Sequence, residues 1–214
     1  MEVEWAPGRV VTTTLAEADG PVGMVLAHGA GTDQHHRMVV ALRDGLAAAG
    51  VPVLTFDYPY KAEGRGRPDR PDTLMACHRA VVERATDIFG GPPVLGGRSM
   101  GGRIGTMVAA EGRPEVLGAV AYAYPLHPLG KPDRLRVEHL AAIDVPVLMV
   151  VGDRDTMCTP ELYDRHVRGL PNVTTHVLAG ADHSWRVLKS SGRTTDEVNA
   201  EAIAATVGWL AAIT

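Results

Sequence analysis

Short runs of β-branched and aliphatic residues alternate with longer segments of helical spacing along this 214-residue chain, and that alternation leaves few architectures open. Arg9 to Thr14, Val22 to Ala27, Val51 to Phe56, Pro93 to Gly97, Leu117 to Tyr124, Val145 to Val151 and Val173 to Leu178 read as strands. Between or after them, Met38 to Ala49, Thr73 to Ile88, Met100 to Glu111, Glu161 to Arg168 and Asp196 to Ala212 carry apolar residues at helical intervals. Strands that follow one another through helices are parallel, and a parallel sheet must be covered on both faces. The expectation is an α/β fold, a mostly parallel sheet of about seven strands with helices on both sides. No repeat or change in composition divides residues 1 to 214, so they are read as a single domain. Tyr58 to Asp72, rich in Arg, Pro and Gly, and Tyr124 to Asp144, with Pro125, Pro128 and Pro132, interrupt the pattern as loops.

The strongest local motif, Gly97-Arg98-Ser99-Met100-Gly101, stands where a buried strand gives way to a helix. A serine hydroxyl is a poor nucleophile unless the backbone thrusts it outward on a sharp turn, where side chains on the flanking residues would collide. The two glycines meet that need, and Gly102 and Gly105 let the next helix lie close to the sheet. The same stretch has some likeness to a phosphate-binding loop. However, Arg103 stands where that loop needs lysine and Ile104 where it needs Ser or Thr.

His28-Gly29-Ala30-Gly31 follows an earlier strand, the place from which one oxyanion donor comes in such an architecture. With the N–H of the residue after the nucleophile, this gives Ala30 and Met100 as candidate donors. A dinucleotide loop is the competing reading, but Gln34 occupies the position of its third glycine. Among the late histidines, His183 in Gly180-Ala181-Asp182-His183-Ser184 follows the last strand and is the candidate base. His176 lies within a strand. Asp33, His35 and His36 do not form a convincing metal site, because adjacent helical residues diverge by about 100°. The acid should follow the penultimate strand, where Gly152-Asp153-Arg154-Asp155 offers two carboxylates, and spacing alone does not choose between them. Asp182 adjoins His183 and is read as structural.

A net charge of −4 and the absence of a Lys or Arg run argue against nucleic acid or an anionic membrane as partner. Glu2, Glu4 and Pro7 sit where a signal peptide would be basic and then apolar, and no apolar run is long enough to span a bilayer. Cys77 and Cys158 are too few and too far apart for a disulfide framework. These features lead us to expect a cytoplasmic protein.

Taken together, GRSMGG at 97 to 102 and HGAG at 28 to 31 make the chain resemble the α/β-hydrolases. Within them it is similar to the branch related to testis-expressed protein 30 and the hydrolase-like subunit of the NSL chromatin complex. The shared stretches are Tyr124 to Pro128, Gly130 to Pro132, Arg136 to Leu140, Gly152 to Asp155 and Ala181 to Ser184. Dienelactone-hydrolase-like enzymes are also similar in size, though many use cysteine where this chain has Ser99. In α/β-hydrolases the acid usually takes the last place of a Gly-x-x-Asp turn, which implies Asp155 rather than Asp153.

The resulting expectation is a serine hydrolase of small esters or thioesters, with Ser99, His183 and Asp155 as its working residues and no metal or cofactor. The alternatives are a non-catalytic interaction module on a hydrolase scaffold and a peptidase. The excursion after the Leu117 to Tyr124 strand is too short for a large lid, so an open site for a small-molecule acyl substrate is expected. Tyr124, Leu126, Met157 and Trp185 are candidates to line it, and Lys61, Arg65, Arg67 and Arg70 to attract an anion. Oligomeric state has no signature in the chain.

Overall fold

The computed structural model describes residues 1 to 214 as an eight-stranded sheet covered by helices on both faces. In chain order the elements are β1 (Glu2–Ala6), β2 (Arg9–Ala16), β3 (Met24–Ala27), α1 (Arg37–Ala48), β4 (Val53–Phe56), α2 (Pro59–Ala62), α3 (Pro71–Phe89) and β5 (Val94–Arg98). They continue with α4 (Met100–Glu111), β6 (Gly118–Tyr122), β7 (Val147–Gly152), α5 (Pro160–His166), β8 (Val173–Leu178) and α6 (Thr195–Ile213). The strand order is β1-β2-β4-β3-β5-β6-β7-β8; β1 and β2 pair antiparallel, β2 meets β4 antiparallel, and every later pairing is parallel. The additional strand relative to the sequence reading is β1, and α2 adds one helical turn inside the Tyr58 to Asp72 loop.

Strand side chains alternate between two cores, as the two-residue period of a pleated sheet requires. In β3, Met24 and Leu26 face α1 and α6, while Val25 and Ala27 face α3 and α4. In β7, Leu148 and Val150 join the α1 and α6 side, and Val147, Met149 and Val151 the other. Both faces of the central strands are thus dry, which is why they read as unbroken apolar runs. Helix ends follow local chemistry. Gly90 and Gly112 close α3 and α4 at φ 73° and 68°, a left-handed conformation that glycine adopts without penalty. Thr194 opens α6 with a capping box: its hydroxyl accepts from the Glu197 N–H at 3.2 Å and its own N–H donates to the Glu197 carboxylate at 2.7 Å.

From β3 the chain steps outward to β4 and then crosses back to place β5 on the other side of β3. At such a reversal, loops leaving the carboxyl ends of adjacent strands diverge and open a crevice. Residues 28 to 31 leave β3 there, and Ser99 leaves β5 beside them. Between β6 and β7 the one helical element is a single short 3₁₀ turn, Leu140–Ala142, so no helical cap covers this rim. No helix is long and apolar enough to cross a membrane.

Candidate active site

Ser99 joins β5 to α4 with φ 50° and ψ −111°, a conformation that non-glycine residues seldom adopt. The turn that forces it is closed on all sides by backbone. A Cβ on Gly97 would lie 2.3 Å from the Gly101 carbonyl carbon, and one on Gly102 would lie 2.5 Å from the Gly97 oxygen. One on Gly101 would fall 2.5 Å from the Ala27 oxygen and 2.6 Å from that of His28. These glycines are therefore required by close approach of β3, β5 and α4, and the sharp turn leaves the Ser99 hydroxyl at the rim.

His183 Nε2 lies 3.0 Å from Ser99 Oγ, and His183 Nδ1 lies 2.7 Å from Asp155 Oδ2. Asp155 is 1% exposed, and its other oxygen accepts the Met157 N–H at 2.8 Å. A buried carboxylate at Nδ1 fixes the tautomer: Nδ1 carries the proton and Nε2 is left to accept from the serine. The two rival carboxylates have other partners. Asp153 accepts the Gly180 N–H at 2.7 Å, and Asp182 accepts the N–H groups of Ser184 and Arg186 at 2.8 and 3.0 Å. Both are turn residues that shape the His183 loop. His176 instead meets Glu201 at 2.9 Å on the far side of β8.

Four further ties hold the site, none of which the sequence analysis identified. Arg98, next to the nucleophile, is buried and donates to the His183 carbonyl at 3.0 Å. Burial lowers its pKa, opposed by the charges of Asp155 and Asp182. Trp185, at φ 58°, is fully buried edge-on against Tyr122 and anchors the same loop. His28 donates from Nδ1 to the Gly29 carbonyl at 2.8 Å and accepts the Tyr58 N–H at Nε2 at 3.1 Å. Its burial favours the neutral ring, which this pairing requires. Tyr60 accepts the Gly31 N–H at 3.2 Å, so that donor is occupied while Ala30 lines the cavity beside Ser99. Burial pushes the Tyr60 phenol up to about 12, so its hydroxyl stays protonated. Met100 opens α4, where the first N–H groups have no acceptor within the helix, and it lines the same cavity.

The cavity, about 380 Å³, has Ser99 at its floor and walls from Pro68, Leu74, Pro125, Leu129 and Met157. Of the residues expected to line it, Met157 does so. Tyr124, Leu126 and Trp185 are fully buried and pack in the two cores instead, because the rim is formed by their neighbours in the chain. The expected anion attractors also lie elsewhere: Lys61, Arg65, Arg67 and Arg70 do not line the cavity, and Arg65 is held by Glu63 and Asp69 at 2.7 and 2.8 Å. The arginines that do line it are Arg103 and Arg136. Asp33, His35 and His36 form no group of metal ligands.

Solved structures with the same architecture include an α/β serine hydrolase homologue from Coxiella burnetii, 19% identical, with 96% of this chain and 95% of that one covered at a TM-score of 0.75. An α/β serine hydrolase without a lid from Xanthomonas campestris is 18% identical over 98% and 93% of the two chains, with a TM-score of 0.75. Est1E from Butyrivibrio proteoclasticus, solved with ferulic acid bound, is 17% identical over 97% and 99%, with a TM-score of 0.74. At these identities the likeness is one of fold. A family model described as an alpha/beta hydrolase domain matches residues 21–211, nearly the whole chain, and on that match the protein belongs to the α/β-hydrolase family.

Proposed function

We propose that the protein is a serine hydrolase that cleaves small esters or thioesters through an acyl-enzyme, in the manner of a carboxylesterase or thioesterase. The observation that carries this reading is the continuous run of hydrogen bonds from Ser99 through His183 to the buried Asp155. In the first step Ser99 Oγ bonds to the acyl carbon as its proton passes to His183 Nε2, and the imidazolium is stabilised by Asp155. Collapse of the tetrahedral species breaks the bond to the leaving oxygen or sulfur, which takes that proton from Nε2. Water then repeats the sequence: it gives a proton to Nε2, attacks the acyl-enzyme, and returns Ser99 with its proton while releasing the acid. The Ala30 and Met100 N–H groups are the candidate donors to the oxyanion of both tetrahedral species.

The uncapped rim favours small, soluble acyl substrates over long-chain lipids. Two cysteines, Cys77 and Cys158, are both buried and unpaired, which agrees with a reducing, cytoplasmic setting. Within the family, the motifs favour the branch related to testis-expressed protein 30 and the hydrolase-like subunit of the NSL chromatin complex.

A fluorophosphonate probe with intact-mass analysis tests the reaction. One label is expected on wild type and none on Ser99→Ala or His183→Ala; an unlabelled wild type overturns the reading in favour of a non-catalytic interaction module. Nitrophenyl esters, acyl thioesters and peptide amides assayed side by side then rank the leaving groups, and cleavage of amides alone would replace the esterase reading with a peptidase.

A further inference from the structure

Several arginines of this protein pair with carboxylates, whereas two without such a partner border the Ser99 cavity. Arg9 pairs with Glu63, Arg65 with Glu63 and Asp69, Arg79 with Glu111, and Arg193 with Glu201. Arg103 and Arg136 have no carboxylate within salt-bridge distance, although both border the cavity that holds Ser99. Arg103 stands one turn along α4 from the nucleophile, its N–H bonded to the Ser99 carbonyl at 3.0 Å. Its side-chain Nε is buried and has no hydrogen-bond partner. A buried donor left unpaired is unfavourable, because it has lost water without gaining an acceptor.

The surroundings do not neutralise this pair. His139 lies within the same packing, 3.0 Å from Thr106 and 3.4 Å from Tyr124, and burial together with Arg103 drives its pKa down to about 4, so it is a neutral neighbour at pH 7. Arg136 is itself held below the usual arginine range by burial and then by the Arg103 charge, the signature of like charges brought close. Asp69 is the one carboxylate on this cavity; one of its oxygens is taken by Arg65 at 2.8 Å and the other is unpartnered. Beyond Arg136 the cavity continues into an outer hollow of about 740 Å³, whose Asp133, Arg134 and Glu138 are exposed to water.

We propose that Arg103 and Arg136 form a subsite for an anionic group of the substrate, a carboxylate or phosphate placed a few bonds from the scissile carbonyl. The unpaired Nε of Arg103 and the shared position of both residues on the Ser99 cavity carry the assignment. Planar guanidinium forks bind carboxylate and phosphate through paired N–H donors, and the anion supplies the acceptor that the protein does not. This inference rests on the hydrolase reading and names its substrate class. A substrate can carry such a group on its acyl side or on its leaving group.

Two matched substrate pairs separate these sources: mono-4-nitrophenyl glutarate against its methyl ester, and 2-(butyryloxy)ethyl phosphate against its dimethyl phosphate ester. The wild type is expected to favour the anionic member of at least one pair by about fivefold or more in kcat/KM, and Arg103→Met or Arg136→Met to bring that ratio near one. Because the ratio is read within each variant, a loss common to both substrates cancels, and Arg136→Met serves if Arg103→Met does not fold. Wild-type ratios below about fivefold in both pairs, or a ratio unmoved by the substitutions, overturn the subsite. If the wild type turns over none of the four, fluorophosphonate labelling decides the hydrolase reading, and calorimetric titration of Ser99→Ala with glutarate and inorganic phosphate decides the subsite. Saturable binding of either, lost with Arg136→Met, supports it; no saturable binding overturns it.

Discussion

The Ser99 elbow and the segment from Tyr124 to Asp144 border the same cavity but are built on opposite terms. The elbow is walled by backbone, with Gly97, Gly101 and Gly102 each within contact distance of carbonyls from neighbouring strands or the helix. The segment after β6 turns its bulky side chains, Tyr124 and Leu126, into the core and offers the cavity Pro125, Pro128 and an exposed Leu129. Ser99 is thus placed by rigid elements, and the opposite wall of its cavity by an irregular segment of chain. This division separates two kinds of mutational response, one in rate or folding and the other in substrate choice.

The largest expected effect is on the rigid side. Asp155→Asn should lower kcat by about 10³- to 10⁴-fold on a nitrophenyl ester while leaving the circular dichroism spectrum unchanged, since the amide would favour the wrong imidazole tautomer. Asp153→Asn, which disturbs only a turn, should leave kcat within about threefold and cost about 1 kcal/mol in urea unfolding. Equal losses from the two would break the contrast drawn between them. Next in size is Gly101→Ala, whose methyl group would press on the Ala27 and His28 carbonyls. It should destabilise the fold by about 3 kcal/mol, and a variant as stable as wild type would show that this wall can yield.

A smaller effect concerns the imidazole behind the elbow. His78 is fully buried, 3.1 Å from the Tyr58 hydroxyl, and burial lowers its pKa from 6.5 to about 3. As pH falls below 6.5 the unfolded chain takes up a proton that the folded one refuses, so stability present at pH 7 drains away toward pH 3. Between pH 7 and 5 wild type should lose about 1–2 kcal/mol more than His78→Gln in urea unfolding, and parallel curves would refute this. On the variable side, Leu129→Ser should change stability by less than about 0.5 kcal/mol and KM by only a few-fold. A larger drop in kcat than in KM would show that this segment is no passive wall.

Most of the frame was legible from the chain because buried parallel strands leave a periodicity that little else produces. The elbow was legible because close backbone approach admits only glycine. β1 was missed although Glu2-Val3-Glu4-Trp5 alternates polar and apolar residues, the pattern of an edge strand paired on one side. The cavity lining was less legible. Tyr124, Leu126 and Trp185 have the size and apolarity of pocket residues, but the same properties suit a core, and only the direction of the side chain separates the two. The ties made by Arg98, His28 and Tyr60 join residues far apart in sequence, and no spacing rule encodes them.

Arg98 sits on β5 immediately before Ser99 and donates to the carbonyl of His183. The separation of Ser99 and His183 is thereby set by one side chain reaching across from the sheet, like a spacer bar, and depends little on how many residues the loop contains. Lengthening that loop downstream of its Trp185 anchor, between Leu188 and Gly192 where the chain is exposed, should leave the spacing intact. A scaffold with this tether can accept new peptide in that loop while Ser99 and His183 stay in register.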